Sequence, residues 1–123
     1  MNEAKPYPKV TQLQRGPQRK ARHRANATGW FEIAAAKRAP CRICGGDRWH
    51  IEFHHLIPRA QLGDDVPANI VALCPDCHRG VHLREPAHCR LLLPRLSDDE
   101  YAYAVEKLGE GWAERVYGIE YER

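Results

Sequence analysis

Large apolar side chains are scarce in this chain. Phe, Trp and Tyr together make up 8% of its 123 residues, against 28% for Asp, Glu, Lys and Arg. With so little to bury, part of the chain is expected to lie outside any core. A domain of this size gains from a staple such as a bound metal. No stretch approaches the roughly 20 consecutive apolar residues of a membrane span. The opening Met1-Asn2-Glu3-Ala4-Lys5-Pro6 leads into no apolar run of the secretory type. Internal repeats are also absent. The expected setting is the cytoplasm, where thiols stay reduced and paired cysteines point to metal before disulfide.

Charge is plentiful but uneven. The formal net charge is +3, yet residues 1–40 carry +7, residues 41–95 carry +1 and residues 96–123 carry −5. A basic arm on a near-neutral centre suits a polyanion, since Lys and Arg that neutralise phosphates release counterions. It equally suits a solvated tail. The acidic C-terminal segment is expected to lie away from any DNA path or to act as a docking face.

The pattern of the chain suggests three parts. Residues 1–25, with Pro6, Pro8, Gly16 and Pro17 among basic and polar side chains, read as a flexible arm. Residues 26–96 read as the main domain, and residues 97–123 as an acidic helical segment packed on it. Within the domain, Asn26 or Thr28 is placed to cap a helix with Trp30, Ile33, Ala34 and Ala35 on one face, and Pro40 ends it. Residues 48–54 alternate as a half-buried strand, with Trp49, Ile51 and Phe53 on one side and His50, Glu52 and His54 on the other. A loop follows to Ala68, then a short strand over Ile70-Val71-Ala72-Leu73 and a short helix carrying His78 and His82. Residues 85–96, which contain prolines, read as irregular. Ser97 and Glu100 form a capping box for a helix burying Tyr101, Ala104, Val105 and Leu108, closed by Gly109. Residues 112–117 add a final short helix.

Cys41-Arg42-Ile43-Cys44 and Cys74-Pro75-Asp76-Cys77 are two C-x-x-C pairs separated by 29 residues. Zinc favours four thiolates at tetrahedral corners, and each such turn presents two from one tight bend. The pattern predicts a structural Zn²⁺ held by Cys41, Cys44, Cys74 and Cys77. Cys89 has no partner at this spacing and reads as a buried or semi-exposed free thiol.

The insert between the pairs holds His54-His55 at the end of a strand, with Asn69 before the next. His78 and His82 stand four apart on a helix and so face one side. Adjacent strand residues point to opposite faces, so one of His54 and His55 can ligate a metal while the other addresses water. His23, His50 and His88 are assigned to ordinary surface or core roles. Trp30 and Trp49 are assigned to the core, and Arg59 reads equally as a phosphate contact or a solvated loop charge.

The run Phe53-His54-His55-Leu56-Ile57-Pro58, the run Asn69 to His78, and His82 resemble the HNH endonuclease family. The resemblance is narrowest to members with four zinc-binding cysteines, many of them from phages, and covers residues 41–82. It implies an α+β fold, a ββα-metal module stapled by zinc and flanked by helices, that hydrolyses DNA phosphodiesters. It implies His55 as general base, His54 as metal ligand, Asn69 as the residue that fixes the loop, and His78 and His82 as helix ligands, one or both to the ion. Products would carry 5′-phosphate and 3′-hydroxyl ends, and the setting would be the host cytoplasm for a phage-encoded member. His54 stands where many relatives have Asp. An imidazole-rich set suits Mn²⁺, Ni²⁺, Co²⁺ or Zn²⁺, whereas Mg²⁺ prefers oxygen. Arg15, Arg19, Lys20, Arg22, Arg24 and Arg59 are the candidate DNA-binding cations. The alternative is a zinc-bearing DNA-binding or accessory subunit acting within a larger phage or repair complex.

Overall fold

The computed structural model describes residues 22–46 and 50–123. Helix α1 (Ala27–Lys37) starts at Asn26, whose side chain accepts from the Gly29 amide. Strands β1 (Glu52–His55) and β2 (Ile70–Leu73) pair antiparallel, with His54 opposite Val71 and His55 opposite Ile70. Helix α2 (Pro75–His82) leaves β2 directly through its cap residue Cys74. Helices α3 (Pro86–Leu92), α4 (Asp98–Leu108) and α5 (Trp112–Tyr117) follow. The two strands and α2 make a ββα unit, and the later helices close over it.

One core joins β2, the exit of β1 and helices α2 to α5. Leu56, Ile57, Val71, Leu73, Val81, Leu92, Leu93 and Trp112 are inaccessible or nearly so. All four residues of β2 are buried, so this strand is the spine on which the rest is laid. Trp112 and Tyr117 make the acidic segment an integral part of that core.

Several expectations change. Residues 85–96 are helical, because Pro86 occupies the first turn of α3 and Pro94 that of a 3-10 turn, Leu93–Arg95. Proline is tolerated there since the amide it lacks has no intrahelical partner anyway. Strand β1 begins later than expected, and its buried member is His54, with Phe53 half-exposed. The His54 side is covered by Tyr117 of α5, whereas the Phe53 ring meets the Arg38 guanidinium. On α1 only Ile33 is fully buried and Phe31 is 76% exposed. A helix whose apolar stripe is mostly alanine offers little to pack. On α4, Ala104 and Glu100 are the buried residues, with Tyr101, Val105 and Leu108 packed at the edge. Trp49 lies outside the described residues.

Glu100 explains how the segments are tied. It completes the capping box with Ser97 and also takes Arg42 at 2.7 Å and Lys37 at 2.6 Å. Burial pushes its carboxyl up, but the hydrogen bonds from Arg42, Lys37 and Ser97 outweigh it and bring it down to about 2. One carboxylate thereby joins α1, the first cysteine turn and α4.

Candidate metal centres and active site

The two cysteine turns meet at the end of the sheet. The first is closed by Gly45 N–H to Cys41 O at 2.8 Å and Cys41 N–H to Gly46 O at 3.1 Å. Gly45 sits at φ +73°, a conformation that side chains disfavour. Arg42 N–H donates to Ala72 O at 2.9 Å, which fastens this turn to β2 beside the second pair. The Sγ atoms of Cys41, Cys44, Cys74 and Cys77 all lie within 4.8 Å of one another, arranged to hold a metal ion. Cys44 and Cys74 are 3.9 Å apart, close to the ~3.8 Å edge of a tetrahedron with Zn–S bonds of about 2.3 Å. Burial raises the Cys41 thiol, yet backbone amides of Cys44, Cys74 and Ile43 bring it down to about 7. Burial and the neighbouring thiols push Cys77 up. Cys89 is fully buried and separate from this cluster.

The histidines gather on a second site. His54, His55, His78 and His82 line one cavity of about 510 Å³ with Arg59, Gln61, Arg84, Arg115 and Tyr117. His54 and His78 rings meet edge to face at 5.2 Å. His82, at the end of α2, is exposed and also borders a shallow hollow with Glu52, His78 and Arg79. Among the described residues, only the cysteines converge within 4.8 Å; the three ligand candidates His54, His78 and His82 are more loosely spaced.

Each of three histidines is held by a partner that decides where its lone pair lies. His55 Nε2 is 2.8 Å from Asp65 Oδ1. A carboxylate only accepts, so Nε2 carries the proton and Nδ1 the lone pair. His78 Nδ1 lies 2.7 Å from Glu52 Oε1, which by the same logic leaves the lone pair of the neutral ring on Nε2. His54 Nε2 lies 2.8 Å from the Tyr117 hydroxyl. Burial, and then the neighbouring His78, His55 and His82, hold His54 down to about 3. A neutral imidazole is the form that binds a metal. Together with His82, His54 and His78 would be a donor set suited to a first-row transition ion.

The loop between the strands is fixed from inside. Asn69 is fully buried; its Oδ1 accepts from Ile57 N–H at 2.8 Å, and its Nδ2 donates to Ile57 O and Asp64 O at 3.1 and 2.9 Å. Its own carbonyl receives Leu56 N–H at 2.8 Å. Gly63 has no room for a side chain, since a Cβ there would fall 1.7 Å from Ile57 O. Asp64 is bound by Tyr103 and Lys107 of α4 at 2.6 and 2.9 Å. The loop therefore presents Asp65 to His55 as a rigid unit.

Asp65 is 2% exposed and also receives Ala25 N–H at 3.0 Å, Arg24 at 3.2 Å and Arg59 at 3.4 Å. Burial raises its carboxyl, but His55, the Ala25 amide and Arg59 hold it below its ordinary value. Two expectations shift accordingly. Residues 22–25, assigned to the flexible arm, are bonded to the loop, with His23 O accepting Asp65 N–H at 2.9 Å and Arg22 donating to Arg59 O at 2.8 Å. Arg24 and Arg59, with side chains 33% and 50% exposed, are partners of Asp65. Arg15, Arg19 and Lys20 lie outside the described residues. Trp30, expected in the core, is half-buried, its ring centroid 5.8 Å from that of His55 in an edge-to-face contact.

Residues 41–84, about a third of the chain, match the family model described as HNH endonuclease. Residues 41–84 are an HNH endonuclease domain. A stretch of 51 residues is 43% identical to the Type IV methyl-directed restriction enzyme EcoKMcrA of Escherichia coli (strain K12), covering 42% of this chain and 18% of that protein. The chain thus spans about a fifth of the length of that relative. No helix among the described residues is long and apolar enough to cross a membrane.

Three contributors escape a reading of the sequence. Asp65 looks like ordinary loop polarity, although an acid four residues before Asn69 is visible. Glu52 falls on the solvent face of the expected strand. Tyr117 is 63 positions from His54, and nothing local points to their contact. The acidic segment also does not stay clear of the site. Arg115, Val116 and Tyr117 wall the histidine cavity, while Glu110, Glu114, Glu120 and Glu122 line a separate hollow.

Proposed function

We propose that this chain is a metal-dependent DNA endonuclease with His55 as general base. The observation that carries the reading is the His55–Asp65 pair, in which His55 lies in the wall of the cavity shared by His54, His78 and His82. Asp65 holds His55 with Nδ1 unprotonated, and imidazole is a base suited to neutral pH. His55 Nδ1 takes a proton from water as its oxygen bonds to the phosphorus. The bond from phosphorus to the 3′ oxygen breaks, that oxygen gains a proton, and the products carry 5′-phosphate and 3′-hydroxyl ends. His54, His78 and His82 would hold the catalytic cation, drawn from Mn²⁺, Ni²⁺, Co²⁺, Mg²⁺ or Zn²⁺. When bound, that cation supplies charge neutralisation at the phosphate and the leaving oxygen. Asn69 keeps the loop, and with it Asp65, in register. Cys41, Cys44, Cys74 and Cys77 hold a structural Zn²⁺.

Cationic side chains supply affinity for the DNA backbone. Exposed Arg22 and the basic residues of 1–21, among them Arg15, Arg19 and Lys20, are assigned to phosphate contacts. Arg24 and Arg59 pair with Asp65 and remain at the edge of the site. The methyl direction in the relative's name is not carried to this chain, which matches only a fifth of that protein.

The test is incubation of purified zinc-loaded protein with supercoiled plasmid and Mg²⁺, Mn²⁺, Ni²⁺, Co²⁺ or Zn²⁺ in parallel, with the product ends sequenced and checked for ligation. Nicking or linearisation with at least one ion, leaving ligatable 5′-phosphate ends, is expected. No cleavage with any ion would favour an accessory or binding subunit.

A further inference from the structure

We propose that Tyr117 is a positioning residue for the catalytic cation site: it holds His54 in the Nε2–H form, so that Nδ1 carries the lone pair offered to the ion. This rests on the assignment of His54 as a ligand. The Tyr117 hydroxyl lies 2.6 Å from Leu56 O and 2.8 Å from His54 Nε2. A carbonyl oxygen only accepts, so the phenolic proton goes to Leu56. The phenolic oxygen must then accept from His54, and Nε2 is the protonated nitrogen. Exposure is 0% at Leu56, 3% at Tyr117 and 7% at His54, so water does not compete for these bonds.

One member of the device, Tyr117, lies outside the HNH domain. Leu56 and His54 belong to β1 and its exit, whereas Tyr117 closes α5, whose other inward residues Trp112, Ala113 and Val116 are core. Packing of α5 therefore sets the depth of the hydroxyl, and the hydroxyl sets the tautomer. It does for His54 what Glu52 does for His78. Partners of this kind on metal-ligating histidines typically contribute ten- to hundredfold in metal affinity.

Two readings test it on zinc-loaded ¹⁵N-labelled protein, wild type and Tyr117→Phe. Long-range ¹H–¹⁵N correlation spectra without added cation report which ring nitrogen of His54 is protonated. Calorimetric titration with Ni²⁺, with zinc content checked afterwards, reports affinity. The expected wild type has the proton on Nε2. The expected Tyr117→Phe has mixed tautomers and roughly ten- to hundredfold weaker Ni²⁺ binding, with zinc content and the remaining amide spectrum retained. A wild-type proton on Nδ1, a wild type that takes up no Ni²⁺, or unchanged affinity in Tyr117→Phe would each overturn the proposal. The wild-type spectrum needs no variant, so misfolding of Tyr117→Phe would not shelter it. Neither reading requires cleavage: protein that cuts no DNA yet shows both expected results fails as a nuclease and keeps this tautomer device.

Discussion

The HNH domain and the segments around it divide the work differently. Residues 41–84 supply the side chains that gather at the two candidate sites: the four cysteines and His54, His55, His78 and His82. The flanks supply groups that hold those in place. Tyr117 faces His54, Arg24 and the Ala25 amide hold Asp65, Tyr103 and Lys107 hold Asp64, and Glu100 grips Arg42. A short ββα unit cannot bury enough to rigidify its own loop. The difference teaches that donor atoms are local and that part of their orientation is borrowed.

The largest effect is expected inside the domain. Cys41→Ser or Cys77→Ser should abolish the cooperative thermal transition, because metal binding in such small sites is largely folding free energy. A native-like melt from metal-free protein would contradict this. Asp65→Asn should leave zinc content intact and slow cleavage by roughly ten- to hundredfold, as measured in single-turnover assays, since the amide no longer fixes the His55 proton. An unchanged rate would break the pairing of loop and base.

The flanks should show more in stability than in rate. Glu100→Gln is expected to cost roughly 2 kcal/mol in urea denaturation at pH 7, from a shift of the carboxyl moderated by its partly solvated partners. The sign follows from the depression of Glu100 from 4.5 to about 2. The contribution is present above the unfolded value, falls away as pH drops through this window, and is gone below about 2. Wild type and Glu100→Gln should therefore converge in stability toward acid; a gap that stays constant would remove the ion pairs as its cause. The smallest effect belongs to residues 1–21. Their deletion should lower the slope of log affinity against log salt by about 0.9 for each phosphate that the arm no longer neutralises, with little change in turnover on saturating DNA. Extending the cut through residue 25 should also slow turnover, because Arg24 and the Ala25 amide would leave Asp65.

Much of the HNH domain is legible in the sequence because its signals are local. Two C-x-x-C turns, a His-His pair ending a strand and an i, i+4 histidine pair each declare themselves within a few residues. Helix α4 is equally readable from Ser97, Glu100 and Gly109, since capping chemistry is confined to a single turn. Helix α3 is not, because Pro86 and Pro94 look like breakers until their places in a first turn are known. The inward turn of His54 escapes for a different reason. Alternation tells which residues share a face, but not which face a distant helix will cover. Asp65 and Tyr117 belong to that second kind of information, carried by packing between segments far apart in the chain.

The most direct test compares cleavage of supercoiled plasmid by wild type and His55→Ala, both zinc-loaded, with the same activating cation. With His55 as the base, at least about a hundredfold loss of rate is predicted in the variant, with melting temperature and zinc content unchanged. Retained cleavage by His55→Ala, or no cleavage by either protein, would contradict it.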